Sequence, residues 1–287
     1  MIQEIAENIF VSDHRTVEGK NGVIFGRSRG DHPGSATALA IDTGSDDSEG
    51  RGIVDFITAR VAQRALLAYT HGHSDHVLGS AAFRGAEVAA HRDTAALMRQ
   101  SLPRWAGELG CDAFWLEQQL AWPTRTLAEG DQFDLGGRSI RILATPGHSR
   151  DHVSLLVEDA GVLFAGDAVV TGIVPTIHEG DGRILEATLR RLEKMSFDVL
   201  VPGHGPVLSG AGTIRAWIAW EAGYLAAIRR RVRELLGGEW TQSDLLAEVG
   251  YGEFVGNRFP MERHDMLTRH RRAVSKILAE ERAGVPR

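Results

Sequence analysis

The chain has 287 residues, 43% of them hydrophobic, with 32 Lys and Arg against 38 Asp and Glu and a formal charge of -6. That length holds one large domain or one domain with an appendage, and the acidic balance disfavours nucleic acid as the main partner, because phosphate binding is built on excess Lys and Arg. A single cysteine, Cys111, excludes an internal disulfide framework and any cysteine-rich zinc module, leaving His and carboxylate as the side chains for a metal.

Residues 1–5 carry no basic-then-apolar leader, and no run approaches the roughly 18 apolar residues of a membrane span. The expectation is a cytoplasmic protein with no membrane partner. Residues 8–11, 22–26 and 36–42 read as three short strands, the last ending in Asp42-Thr43-Gly44. Polar, Gly-rich residues 45–52 read as a loop, and 55–64 has helical spacing. A strand at 66–69 then runs into Thr70-His71-Gly72-His73-Ser74-Asp75-His76, with a helix start at 77–81.

A strand at 87–90 precedes residues 92–124, which are helical in character and carry Trp105, Trp115 and Trp122. An aromatic insertion this close to a site reads as a wall or lid over a pocket. Strands follow at 138–144, 153–157 and 162–165, then an amphipathic helix at 184–195 and a strand at 199–201. Beyond Pro206 the chain turns helical, with helices predicted over 212–236, 241–249 and 263–282. This region must pack on the rest of the chain to bury its apolar faces.

Three histidines and one carboxylate within seven residues are denser than a core or a solvated face requires. They sit on a strand-to-helix turn, where side chains can converge. Three more strand ends lead into turns with a candidate donor: His148 after Pro146-Gly147, Asp167 after Gly166, and His204 between Gly203 and Gly205. The set His71, His73, Asp75, His76, His148, Asp167 and His204 exceeds what one tetrahedral ion can use, so two divalent ions are implied. Zinc is the first expectation, and such donors also accept iron or manganese. His152 reads as a turn-stabilising neighbour of these ligands. Trp105 and His178 are the candidate substrate contacts.

The H-x-H-x-D-H signature at His71–His76, followed in order by His148, Asp167 and His204, resembles the metallo-β-lactamase superfamily, and Asp42 matches that family's first, structural motif. The resemblance covers residues 1–208. It implies an α/β protein, a four-layer αβ/βα sandwich with the site along the edge where the sheets meet, and a helical C-terminal extension over 209–287. It also implies that His71, His73 and His148 hold one metal, that Asp75, His76 and His204 hold the other, and that Asp167 bridges them.

Such a centre implies hydrolysis by a metal-bridging hydroxide, with the metals about 3.5–4 Å apart and Asp75 and Asp167 as the catalytic carboxylates. Asp167 separates the chain from the true β-lactamases, which lack it, and His73 from the flavin-linked diiron proteins. The interval between Asp167 and His204 is too short for the inserted domain of the large nucleases and holds no tyrosine of the lactonase type. The pattern partly resembles the mononuclear persulfide dioxygenases, which leaves a single redox iron open, and otherwise resembles glyoxalase II and its relatives, which act on small-molecule thioesters, esters or lactones.

A metal-dependent phosphodiesterase or single-strand endoribonuclease is the alternative reading, because the Gly-His-Ser-Arg-Asp-His turn at 147–152 and the C-terminal helices also resemble a branch of the superfamily that includes one, and Arg229-Arg230-Arg231, Arg233, Arg269 and Arg271-Arg272 are the residues that would discriminate it. Arginines interleaved with glutamates on exposed helix faces are the ordinary explanation of that pattern. A regulatory protein acting through partner contacts is a third reading. Size alone suggests a homodimer.

Overall fold

The computed structural model describes residues 2–14, 18–26, 37–60, 65–177, 179–236, 238 and 240–283. One sheet orders β1 (Ile2–Ala6), β2 (Ile9–Asp13), β3 (Lys20–Phe25), β4 (Ala38–Ile41), β5 (Ala65–Ala68), β6 (Val88–His91) and β7 (Arg125–Leu127) in sequence. It is antiparallel from β1 to β4 and parallel from β4 to β7. The second sheet runs from β8 (Gln132–Asp134) through β9 (Ser139–Ala144), β10 (Val153–Val157), β11 (Val162–Gly166) and β12 (Val199–Pro202) to β13 (Leu208–Ser209). Only its β11–β12 pair is parallel.

Side-chain alternation sorts the strands into layers. In β4, Leu39 and Ile41 point inward to meet Ile140, Ile142, Val153 and Leu155 of the second sheet, while Ala38 and Ala40 point outward. On that outer face lie α1 (Asp47–Thr58), the single turn α2 (Ser74–Val77), α3 (Thr94–Leu109) and α4 (Ala113–Gln119). The outer face of the second sheet supplies Leu143, Leu163 and Leu200 to another core. There it packs α5 (Gly182–Leu192), α6 (Ala211–Leu235), α7 (Gln242–Glu248), α8 (Tyr251–Phe254) and α9 (Met266–Ala283). The result is the expected four-layer sandwich, with three apolar layers between four structural ones.

Local chemistry accounts for the departures from the sequence reading. The stretch expected as a loop over 45–52 begins helix α1, because the Asp46 side chain accepts from the backbone N–H groups of Ser48 and Glu49 and caps it. Gly50 belongs to that helix. A Cβ on it would lie 1.7 Å from the carbonyl oxygen of Gly79, so close packing, not turn formation, selects the glycine. The helix ends at Thr58, and residues 61–64 of its expected span lie outside the described residues. The short strands β1, β7, β8 and β13 carry too few alternating positions to stand out, and the 77–81 stretch continues as a 3-10 turn over Leu78–Phe83.

Candidate metal centre

The loops after β5, β9, β11 and β12 open at one edge of the sandwich. The two sheets are tied together there: the Lys20 N–H donates to the Gly203 carbonyl at 2.9 Å, and Gly205 N–H to that of Glu18 at 2.9 Å. Asp42 ends β4 in the left-handed region, φ 59°, which turns its carboxylate under the His71–His76 loop. Its Oδ1 accepts from Thr70 N–H at 2.8 Å, and its Oδ2 accepts from Thr70 Oγ1 at 2.7 Å and faces His76 Nδ1 at 2.9 Å. Asp151 fixes the same loop from the other side, accepting from Gly72 N–H at 2.9 Å and Thr94 Oγ1 at 2.8 Å.

All seven expected donors come together. Three sets each bring one donor atom per residue within 4.8 Å of one another: His71, His73 and His148; His71, His76 and Asp167; Asp75, His76 and His204. Asp167 faces both ends of the cluster, with Oδ2 at 3.4 Å from His148 Nε2 and Oδ1 at 3.4 Å from His76 Nε2. His204 Nε2 lies 3.2 Å from Asp75 Oδ2 and 3.5 Å from Asp167 Oδ2. Gly203 makes this possible, since a Cβ there would fall 1.8 Å from Asp167 Oδ1.

The outer nitrogens fix the tautomers. His148 Nδ1 lies 2.7 Å from the Thr176 carbonyl and His73 Nε2 3.0 Å from Glu179 Oε2, so both must donate there and turn lone pairs inward. His76 Nδ1 likewise donates to Asp42. Thr70 Oγ1 spends its proton on Asp42, so it accepts from His71 Nδ1 at 3.1 Å. In its neutral form each ring of the H-x-H-x-D-H turn would aim an unshared pair at the centre. His71 Nε2, His76 Nε2 and Asp167 Oδ1 are buried with no hydrogen-bond partner.

Buried acceptors facing one another without a donor are costly, and a cation between them removes the cost. Imidazole nitrogen and carboxylate oxygen are the donors that zinc, iron or manganese take. The residues present therefore fit divalent metal.

Charge separates the two ends. Burial, with the neighbouring rings, pushes the imidazole of His71 well down, and burial brings His148 to about 4 even against Asp167. At the other end burial also opposes the charged form, but Asp42, Asp75 and Asp167 lift His76 well above its usual value. Asp167 and Asp75 raise His204 to about 10. Despite burial, those histidines hold both carboxyls below the usual range. One end thus offers neutral donors, while the other carries protons that a divalent ion would displace.

A cavity of about 220 Å³ opens on this cluster, lined by His73, Asp75, His148, Asp167 and His204 and, from the C-terminal helices, His264, Arg269 and Arg272. Arg269 is held there by its bonds to the His264 carbonyl at 2.9 Å and Thr176 Oγ1 at 3.1 Å. A second cavity of about 740 Å³ adjoins His73 and is walled by Leu97, Gln100, Ser101 and Arg104 of α3, with Arg150 and Ile184 opposite.

The insertion thus does form a wall, but Trp105 is not part of it. Its ring is 1% exposed and packs with Met98 and Leu102 in the core, because the opposite face of α3 turns to the cavity. His178 lies outside the described residues. His152 is buried with both nitrogens engaged, Nδ1 with Thr145 Oγ1 at 2.8 Å and Nε2 accepting from Ala168 N–H at 3.2 Å, so it steadies the turn bearing Asp167.

Sequence reasoning missed Glu179 and Thr176, which sit in no motif, and gave no role to Asp151 in the turn between His148 and His152. It also missed His14, which is 4% exposed with neither ring nitrogen bonded and lies 5.8 Å from the His204 ring and 6.1 Å from that of His76. Most of the arginine run proves to be ion-paired: Arg229 and Arg233 with Glu281, and Arg231 with Glu248.

The family model described as metallo-beta-lactamase superfamily matches residues 34–204. A hydroxyacylglutathione hydrolase of Cereibacter sphaeroides is 32% identical over 153 residues, covering 52% of this chain and 52% of that protein. One from Acidiphilium cryptum is 30% identical over 170 residues, 58% of this chain and 60% of that protein. The match thus spans about half to three-fifths of these curated relatives. Among solved structures, a metallo-beta-lactamase family protein from Thermus thermophilus is similar in fold, with a TM-score of 0.67 at 20% identity over 98% of this chain and 96% of that one.

Proposed function

This chain belongs to the metallo-β-lactamase superfamily, and from that membership we propose that it is a hydrolase holding two divalent metal ions, zinc first among them, and acting on thioesters of small molecules. The observation that carries the reading is Asp167, whose two oxygens face His148 on one side and His76 on the other at 3.4 Å each. His71, His73 and His148 would hold one ion, Asp75, His76 and His204 the second, and Asp167 both. Bound there, such ions supply Lewis-acid polarisation of an acyl oxygen and lower the pKa of water towards neutrality.

The chain's own groups divide the remaining work. Asp75, ionised and partly exposed at the cavity wall, can orient a water and receive its proton. Arg269 and Arg272 give an otherwise acidic chain a positive wall beside the ligands, suited to a carboxylate or phosphate carried by the substrate. Two cavities meeting at His73 leave room for an acyl group on one side of the centre and its thiol carrier on the other. Thioesters are favoured over other acyl compounds because relatives named hydroxyacylglutathione hydrolase act on that bond.

Pairing of Arg229, Arg231 and Arg233 with glutamates takes three of the seven arginines of the RNA-cleaving reading away from a phosphate-binding surface. A panel of acyl thioesters, aryl esters, lactones, phosphodiesters and short RNA tests the proposal. Thioesters should turn over fastest, and turnover of phosphodiesters or RNA alone would reject it.

A further inference from the structure

Glu179 lies in the segment between the two cavities. Its carboxylate is divided between two partners: Oε2 is 3.0 Å from His73 Nε2, and Oε1 accepts from Arg104 of α3 at 2.5 Å. It is set on the far side of the His73 ring from the cluster, since it meets Nε2 while Nδ1 faces His148 Nε2 at 2.9 Å. The two nitrogens of an imidazole point in divergent directions, so a carboxylate at one cannot reach an ion at the other. Glu179 is therefore placed to act on the ring.

We infer that Glu179, itself steadied by Arg104, is the positioning residue that holds His73 in the tautomer and orientation its metal requires. The inference rests on the reading of His73 as a metal ligand. A carboxylate accepting from the outer N–H of a ligand imidazole fixes which nitrogen keeps the lone pair and makes that nitrogen a better donor. His76 has a corresponding carboxylate in Asp42 and His148 has the Thr176 carbonyl. Those two partners are buried or part of the backbone. Glu179 is about a third exposed at the cavity wall, and it alone of the three is shared with the helical insertion.

That arrangement has a consequence for the large cavity. Arg104 belongs to the wall that a substrate would touch, so any group that draws Arg104 away also loosens the carboxylate on His73.

The test is metal affinity, read by competition with a chromophoric chelator on the full-length protein, for the unsubstituted chain, Glu179→Ala and Glu179→Gln. Glu179→Ala should weaken the first site about 10–100-fold and leave the second within about threefold. Glu179→Gln, which keeps an acceptor oxygen, should recover part of the loss. In zinc-loaded, nitrogen-15-labelled protein the His73 Nε2–H should give a protected downfield proton signal that Glu179→Ala abolishes. Unchanged first-site affinity in Glu179→Ala overturns the inference, as does an equal loss at both sites, the mark of a general structural defect. Failure of the unsubstituted chain to bind metal is a separate result that rejects the metal centre itself.

Discussion

His73 Nδ1 and His148 Nε2 face each other at 2.9 Å, and where each ring spends a single proton on its outer partner, Glu179 or the Thr176 carbonyl, neither has one to give the other. Two lone pairs held at hydrogen-bond distance repel unless a cation lies between them. Removal of metal with a strong chelator should therefore destabilise the fold. At a free-metal concentration a hundred times Kd the bound state gains about 2.7 kcal/mol per site, or about 4–5 °C in Tm for a chain of this size. Thermal unfolding before and after chelation, with zinc added back, measures it, and an unchanged Tm would contradict the centre.

Gly203 and Asp167 make the second prediction. A methyl group on residue 203 would sit 1.8 Å from Asp167 Oδ1 and displace the carboxylate shared by the two groups. Gly203→Ala should retain the fold by circular dichroism, lose about one metal equivalent and fall at least about 100-fold in activity. A variant with full metal content and activity would show that Asp167 does not link the groups.

Arg269 should matter for substrate binding more than for chemistry. It lines the cavity beside the ligands but points its bonds at His264 and Thr176, not at them. For an anionic thioester Arg269→Ala should raise KM about tenfold with kcat within about threefold. A neutral thioester should show little change. Equal effects on both would remove the charge argument.

The acid sensitivity of the C-terminal helices centres on Glu281. Burial would raise its carboxyl, but bonds from Arg233, Arg229 and Arg183 hold it down to about 2 against an ordinary 4.5. A depressed folded-state value means that the stabilisation is complete above pH 4.5 and lost as pH falls towards 2. Glu281→Gln should cost about 1–2 kcal/mol at pH 7 after allowing for solvent screening, with the gap closing over that window. Urea midpoints of parent and variant, both with chelator, give the comparison. A gap that persists at pH 2 would assign the effect to packing.

The donors of the centre were legible because their chemistry forces them close in sequence or onto glycine-flanked strand ends, as with His71–His76, His148 and His204. The layers were legible because strands such as β4 must alternate between two cores. What could not be read was whatever depends on distant segments meeting. Gly50 looks like a loop residue until Gly79 packs against it. Trp105 looks like a pocket residue until α3 turns that face inward. Glu179 has no motif because its partners, His73 and Arg104, lie far away in the chain and in different elements.

A pair of metal ions sharing Asp167 in a thioester hydrolase should make activity depend on the second ion. Adding zinc stepwise to the metal-free protein while following hydrolysis of an acylglutathione thioester tests it most directly. Activity should stay low through the first equivalent and rise to its maximum at two per chain, with Asp167→Asn arresting the rise. Full activity at one equivalent, or none at two, would contradict it.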